Sequence, residues 1–211
     1  MIWTLNHHLK EIAKKMSNII EQIEAEVIRR YNSPNNIFGA ESWHYHTKRV
    51  VENAIGLAKQ HNADIEIVTL GALLHDIAAI TDEKYFDNHH IVGAEIADEL
   101  LTKLNYPKER IEHVKQCVLN HRGSKPAEKL TIEEVCVADA DALAHLDNIP
   151  SLFCMVYKER GMSIAEGEQW LKSKLERSYA KLSNTSKEQY KQKYEHAMSI
   201  FSSSRKNEVY Q

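Results

Sequence analysis

The stretch "TLGALLHDIAAI", residues 69–80, constrains this chain more than any other. Almost every side chain in it is apolar, so a helix built from it has no face to give to water and must run through the middle of a bundle. His75 and Asp76 nevertheless stand side by side within it. A buried polar group left without a partner costs about 1–3 kcal/mol, so each must be met by something in the interior. Neighbouring helical positions diverge by about 100°, so a partner shared by both has to lie between their two directions.

The remaining sequence supplies the bundle. Only seven glycines and four prolines punctuate 211 residues, and the apolar spacing is helical nearly throughout. Ile12, Met16, Ile19, Ile23 and Val27 form one amphipathic stripe, after which Pro34 and Gly39 mark a loop. A second helix is expected over 44–61 with Val50, Ala54 and Leu57 inward, and a third over 64–80 from a cap at Asp64. The β-branched "IEIVT" has strand character, yet it runs into "LGALLHDIAAI" without a turn signal and reads as helix.

Further along, "DNHHIVGAEIADELLTKLNYP" has a cap at Asp87 or Asn88 and a stripe through Ile91, Ala94, Ala97 and Leu101. Pro107 opens the next helix and Gly123 ends it. Thr131 with Glu134, and Ser163 with Glu166, have capping-box spacing. A last helix puts Tyr190, Tyr194, Ala197 and Phe201 on one side. The expected fold class is therefore all-α: one helical bundle domain over 1–211, with chemistry-bearing residues between 44 and 146. Extra C-terminal helices over 147–211 form a covering annex.

At this length the core needs no disulfide staples. Cys117, Cys136 and Cys154 form no CxxC pair, are odd in number, and read as core residues of a protein from a reducing cytoplasm. The net charge is −3 with both signs interspersed, which argues against general nucleic-acid binding. No apolar run reaches the ~18–20 residues of a membrane span, and the N-terminus lacks a signal-peptide pattern. The oligomeric state is not legible.

Twelve histidines are many for this length, and helix position sorts them. His7, His8 and His61 read as solvated. His46 precedes Val50 by four residues and shares its inward stripe. His121 continues the stripe of Ile111, Val114 and Val118. Asp139 and Asp141 sit among Val, Ala and Leu, where either could instead cap a neighbouring helix. Several helices thus send imidazole or carboxylate inward, and a shared cation satisfies them most economically.

"HTKRV" at 46–50, "LLHDI" at 73–77 and "VADADAL" at 137–143 resemble, in order and separation, the H…HD…D signature of the HD-domain metal-dependent phosphohydrolases. The resemblance implies that His46, His75, Asp76 and Asp141 are metal ligands, with Asp139 the rival to Asp141 or the group that orients a histidine behind it. The mixed N/O donor set suits Mn, Fe, Mg, Ni or Zn as the divalent ion, which would acidify a bound water and polarise a phosphoryl group. His90, favoured over His89, and His121 would contact phosphate or serve proton transfer, as catalytic residues alongside Asp76. Arg122 and Lys125 would bind substrate, although charges near a helix C-terminus are also favoured by its dipole. Two-metal members have a histidine pair where His121-Arg122 stands, so Arg122 counts against a full second site. His44 and His145 read as peripheral. Trp43, Tyr85 and Phe86 read as packing residues.

The implied activity is hydrolysis of a phosphate ester, with a nucleotide or similar small phosphorylated metabolite as partner. Cyclic dinucleotides fit poorly, because the chain reads "HDIAAI" where that branch continues with Ile-Gly-Lys, and it lacks the later Gly-Tyr-Pro. The alternatives are a di-iron oxygenase on a similar scaffold and a non-catalytic ligand-binding module.

Overall fold

The computed structural model describes residues 18–36, 38–122 and 131–201. Among them the chain is helical and contains no strand, as the spacing predicts. Ile12, Met16, His7, His8, Gly123 and Lys125 lie outside the described residues. Helix α1 covers residues 18–31 and buries Ile19, Ile23 and Val27.

Helix α3, Ile65–Leu74, is the centre of the bundle. Asp64 caps it by accepting the N–H groups of Glu66 and Ile67 at 3.0 and 3.1 Å. Every residue from Glu66 to Leu74 is buried, because α2 (Lys48–His61), α5 (Lys108–Asn120) and α6 (Ile132–Asp147) surround it. Arg110 on α5 grips both oxygens of Asp64 at 2.9 and 3.0 Å and Glu66 at 2.6 Å, fastening the start of α3 to its neighbour.

The regular helix stops at Leu74, not at residue 80, and 75–80 continue as successive tight turns. A competing hydrogen bond accounts for this. His75 Nδ1 lies 2.7 Å from the Ala72 carbonyl, the group an uninterrupted helix would offer to the Asp76 N–H. Likewise, residues Trp43–Thr47 form a wide π-helical turn ahead of α2, where a continuous helix from residue 44 was expected. Such turns are frequent at functional sites, and His46 sits in this one.

Helix α4 (His89–Lys103) follows a short 3₁₀ turn over Glu83–Asn88 and packs along α5. Beyond α6 come the short α7 (Ile149–Phe153), a wide turn over Cys154–Glu159, then α8 (Ile164–Lys181) and α9 (Asn184–Ser199). The capping box predicted at Ser163 and Glu166 is complete, and Thr131 caps α6. Helices α8 and α9 both lie against α6. Asp139 on α6 accepts the Ser183 N–H at 2.9 Å and its hydroxyl at 2.5 Å, so its work is to hold the start of α9. Of the cysteines, Cys117 and Cys136 are buried, whereas Cys154 is exposed on the wide turn and is not a core residue.

Gly71 permits a close approach of α3 to α5 and α6 in the core. A Cβ there would meet Cys117 Cβ at 2.8 Å and Val137 Cγ2 at 3.1 Å, and a Cβ cannot swing aside without its backbone. Gly71→Ala is therefore expected to lower stability by roughly 1–3 kcal/mol, read from the midpoint of urea unfolding.

Candidate metal centre

Three backbone carbonyls set the site's histidines. His75 Nδ1 meets Ala72 O at 2.7 Å, His89 Nδ1 meets Phe86 O at 2.6 Å, and His121 Nδ1 meets Val118 O at 2.6 Å. A carbonyl only accepts, so each Nδ1 carries a proton, and each ring, once neutral, presents its lone pair at Nε2. Those lone pairs converge. His89 Nε2 and His121 Nε2 are 3.2 Å apart, as are His46 Nε2 and His75 Nε2. Two facing lone pairs repel unless a proton or a metal ion lies between them.

Two carboxylates complete the arrangement. Asp141 Oδ1 is 3.4 Å from His46 Nε2 and 3.9 Å from His75 Nε2. Asp76 Oδ2 lies 3.5 Å from His46 and 3.2 Å from His75, while Asp76 Oδ1 lies 3.5 Å from His89 and 3.7 Å from His121. The donors fall into two groups: His46, His75 and Asp141, and Asp76, His89 and His121. Asp76 turns one oxygen to each. Nitrogen and oxygen donors bonded at about 2.0–2.2 Å to one ion sit about 3–3.5 Å from each other, so the observed separations suit divalent ions.

Electrostatics agree with that chemistry. Burial works against ionising Asp76 and Asp141, yet the imidazoles around Asp76, and Lys181 with His145 beside Asp141, hold both carboxyls well below the usual carboxylate range. Burial alone would depress His75, but Asp76 and then Asp141 outweigh it and push that ring up to about 9. Burial and the neighbouring His75 push His121 down to about 3, so it stays neutral. His145 is likewise held well below its ordinary value, by burial and by Lys174.

Five of the six donors line a cavity of about 640 Å³ between the α2–α6 core and α8, with His75 fully buried behind them. His46, His75, Asp76, Asp141 and His121 are brought together, and Arg122 lines the same cavity, its guanidinium held by the Asp87 carbonyl. His90 does not join them. It is buried one position further along α4, and His89, the first residue of that helix, faces the other donors. His89 also supplies a third member of the second donor group, which the reading of Arg122 had counted against. His145, read as peripheral, has its Nδ1 4.0 Å from Asp141 Oδ1 and lines the cavity, whereas His44 is exposed. Trp43 packs in the core as expected, but Phe86 is 42% exposed at the cavity mouth.

Sequence reading missed the cations of α8. Lys181 pairs with Asp141 Oδ2, and Lys174 and Arg177 line the cavity with it. Their signal was present in the i, i+3, i+7 spacing of 174, 177 and 181 beside the buried stripe Leu171, Leu175 and Ser178, but nothing in the sequence says which cavity that helix covers.

The family model described as the HD domain matches residues 43–146, a span that contains all six donors. The chain is an HD-domain protein. Among curated proteins, it is 36% identical over 137 residues to a tRNA (cytidine(56)-2'-O)-methyltransferase of Thermoplasma volcanium. It is 33% identical over 75 residues to an uncharacterized protein of Clostridium beijerinckii. These matches take in 57% and 36% of this chain but only 37% and 48% of the relatives, so it spans less than half the length of either. The structure of Bacillus subtilis YpgQ superposes with a TM-score of 0.65 at 19% identity, covering 88% of this chain and 93% of that one. YpgQ in complex with ADP gives 0.62 at 20% identity over 86% and 93%. An HD-superfamily hydrolase from Bacillus thuringiensis gives 0.62 at 19% identity over 88% and 94%. At these identities the three structures show a shared fold and nothing further.

Asp76→Ala removes the carboxylate common to both donor groups. It is expected to strip bound metal, measured by plasma emission on purified protein, while leaving the helical circular dichroism within about a tenth of the parent. Metal affinity should also depend on pH. Because His75 holds its proton up to about 9, an ion entering below that pH must expel it. Affinity should climb by about tenfold per pH unit from neutrality to 9 and then level off, with proton release read by calorimetry in buffers of different ionisation enthalpy.

Proposed function

We propose that this HD-domain protein is a metal-dependent phosphohydrolase that cleaves a phosphate ester of a nucleotide or similar small metabolite. One observation carries the reading: paired carboxylates and inward imidazole lone pairs share a cavity with Lys and Arg side chains. His46, His75, Asp76 and Asp141 hold the ion, and Asp76, His89 and His121 offer a second place. A bound divalent ion supplies Lewis-acid polarisation of a phosphoryl oxygen and makes a water more acidic.

The chain's own groups do the rest. Arg122, its guanidinium fixed on the Asp87 carbonyl, presents its remaining N–H donors to a phosphate oxygen. His121 stays neutral and serves as a lone-pair donor, so protonation of the leaving oxygen falls to solvent or to a lysine at the cavity wall. In the reaction a water oxygen bonds to phosphorus and gives up a proton to solvent, the bond to the leaving oxygen breaks, and that oxygen gains a proton. Phe86 and Phe38, whose rings lie 6.1 Å apart at the mouth, offer a face for a nucleobase. The ADP held by the structurally similar YpgQ supports a nucleotide.

A di-iron oxygenase is the second reading, favoured by the second donor group, since two irons need about this many ligands. The cationic walls favour an anionic substrate over it. Purified protein incubated with phosphomonoesters, nucleotides and diesters in added Mn²⁺ is expected to release phosphate or a nucleotide. A chelator should abolish that release and fresh ion restore it. Oxygen consumption without hydrolysis would instead establish the oxygenase, and bound metal without turnover of any compound would leave a binding module.

A further inference from the structure

We infer that Tyr31 is a positioning residue of the metal centre: from α1 it holds both ends of the turn that carries His46, and so sets where that ring stands against His75 and Asp141. This rests on the metal-dependent reading for what His46 binds, and it adds to the site a residue that lies outside the matched span 43–146.

The backbone creates the need for such a brace. His46 stands on a π turn over Trp43–Thr47, and His75 and Asp76 stand on the tight turns over 75–80. Neither segment has the regular hydrogen-bond ladder that stiffens an α-helix. Donors on such segments keep their spacing only if something else fixes the segments. His46 Nε2 lies 3.2 Å from His75 Nε2 and 3.4 Å from Asp141 Oδ1. A displacement of about 1 Å would take it out of the shared set.

Tyr31 supplies the fixing. Its ring packs on Trp43, the first residue of the turn, with centroids 6.1 Å apart and planes tilted by 54°. Its hydroxyl shares a 2.6 Å hydrogen bond with the hydroxyl of Thr47, the last residue of the turn. One stiff aromatic side chain therefore spans the turn, and His46 adjoins the hydrogen-bonded end. All three residues are buried, Tyr31 at 3% exposure and Thr47 at 1%. A hydrogen bond shielded from water in this way is costly to leave unmade, so the contact is kept. Asn148 also donates to the Tyr45 carbonyl at 2.7 Å, but on an exposed side where water competes.

The same helix reaches the other irregular segment. Arg30, held by Glu26 at 2.8 Å, donates to Thr81 Oγ1 at 2.5 Å, and Thr81 in turn donates to the Ile77 carbonyl at 2.6 Å, closing the turns that follow Asp76. Adjacent residues of α1 thus grasp the two segments whose donors must meet. Tyr31 also lines the cavity, but its hydroxyl is engaged, and burial together with the charge of Asp76 raises its pKa, so it keeps its proton. It orients a donor and does not act on substrate.

The test removes the hydrogen bond and leaves the packing. Full-length Tyr31→Phe, Thr47→Val, their double variant and Thr47→Ser are stripped with a chelator beside the parent, and Mn²⁺ affinity is measured by competition with a fluorescent indicator. Imidazole nitrogen NMR spectra are recorded on the same proteins free of metal. Either single removal is expected to weaken Mn²⁺ binding by about tenfold, with the double variant no weaker than the singles and Thr47→Ser close to the parent. In the metal-free spectra the His46 ring should shift or broaden while His89 and His121 hold their positions, a selectivity that a general loss of stability would not produce. An unchanged affinity or an unmoved His46 ring in Tyr31→Phe overturns the inference, as does equal disturbance of all three rings. Should the parent take up no Mn²⁺, the rings decide alone. Should Tyr31→Phe fail to fold, Thr47→Val and Thr47→Ser break and restore the same hydrogen bond and decide in its place. None of these readouts involves turnover, so the phosphohydrolase reading fails separately, on hydrolysis by the parent protein.

Discussion

Two ionised carboxylates and several imidazoles held within a few ångströms of one another, under the rim of an apolar bundle, require positive charge among them, as protons on the rings, a lysine ammonium or an ion. Nothing else in the structure is so demanding. Isolated, either carboxylate would be neutralised by its surroundings, but here both are kept charged by imidazoles and by Lys181. Around this requirement the rest is arranged. Backbone carbonyls fix three rings so that their free nitrogens face one another, and α3 ends at Leu74 because one of those carbonyls is taken by the His75 ring. The regular helix yields to the site at the position where the site begins.

The fold was largely legible because it follows from spacing. Apolar residues at helical intervals, the caps at Asp64 and Thr131, and the capping box at Ser163 each specify a local structure with a local cause. The site was legible where a polar residue interrupted an apolar stripe, as at His75 and Asp76. It was less legible where two neighbours offered the same chemistry. His89 and His90 are adjacent and His90 is the more buried, so burial does not pick out His89 as the one that faces the other donors at the start of α4. Asp139 and Asp141 are separated by about 200° on α6, so one faces the donors and the other faces α9. Only the placement of α9 reveals which is which. The wide turn that carries His46 left no mark in the residue pattern at all.

The cations of α8 belong to a different category. Their side chains are ordinary in sequence, and their meaning comes from the cavity that α8 closes. The six clustered donors lie within residues 43–146, whereas most of the cavity's cations, and Trp170 with them, lie outside that span. Likeness to YpgQ extends over 88% of this chain, well more than the span of the HD domain alone.

The clasp between Asp139 and Ser183 has a bearing on how such a protein can diversify. It joins the annex to the same helix that presents Asp141, so one helix contributes a donor to the floor and also locates the wall opposite. An ancestral chain could thus exchange the wall's side chains, or the whole hairpin that bears them, and acquire a new appetite while the floor kept its alignment. The donors and most of the wall's cations are written on separate stretches of polypeptide, pinned together by a two-point clasp that belongs to neither set.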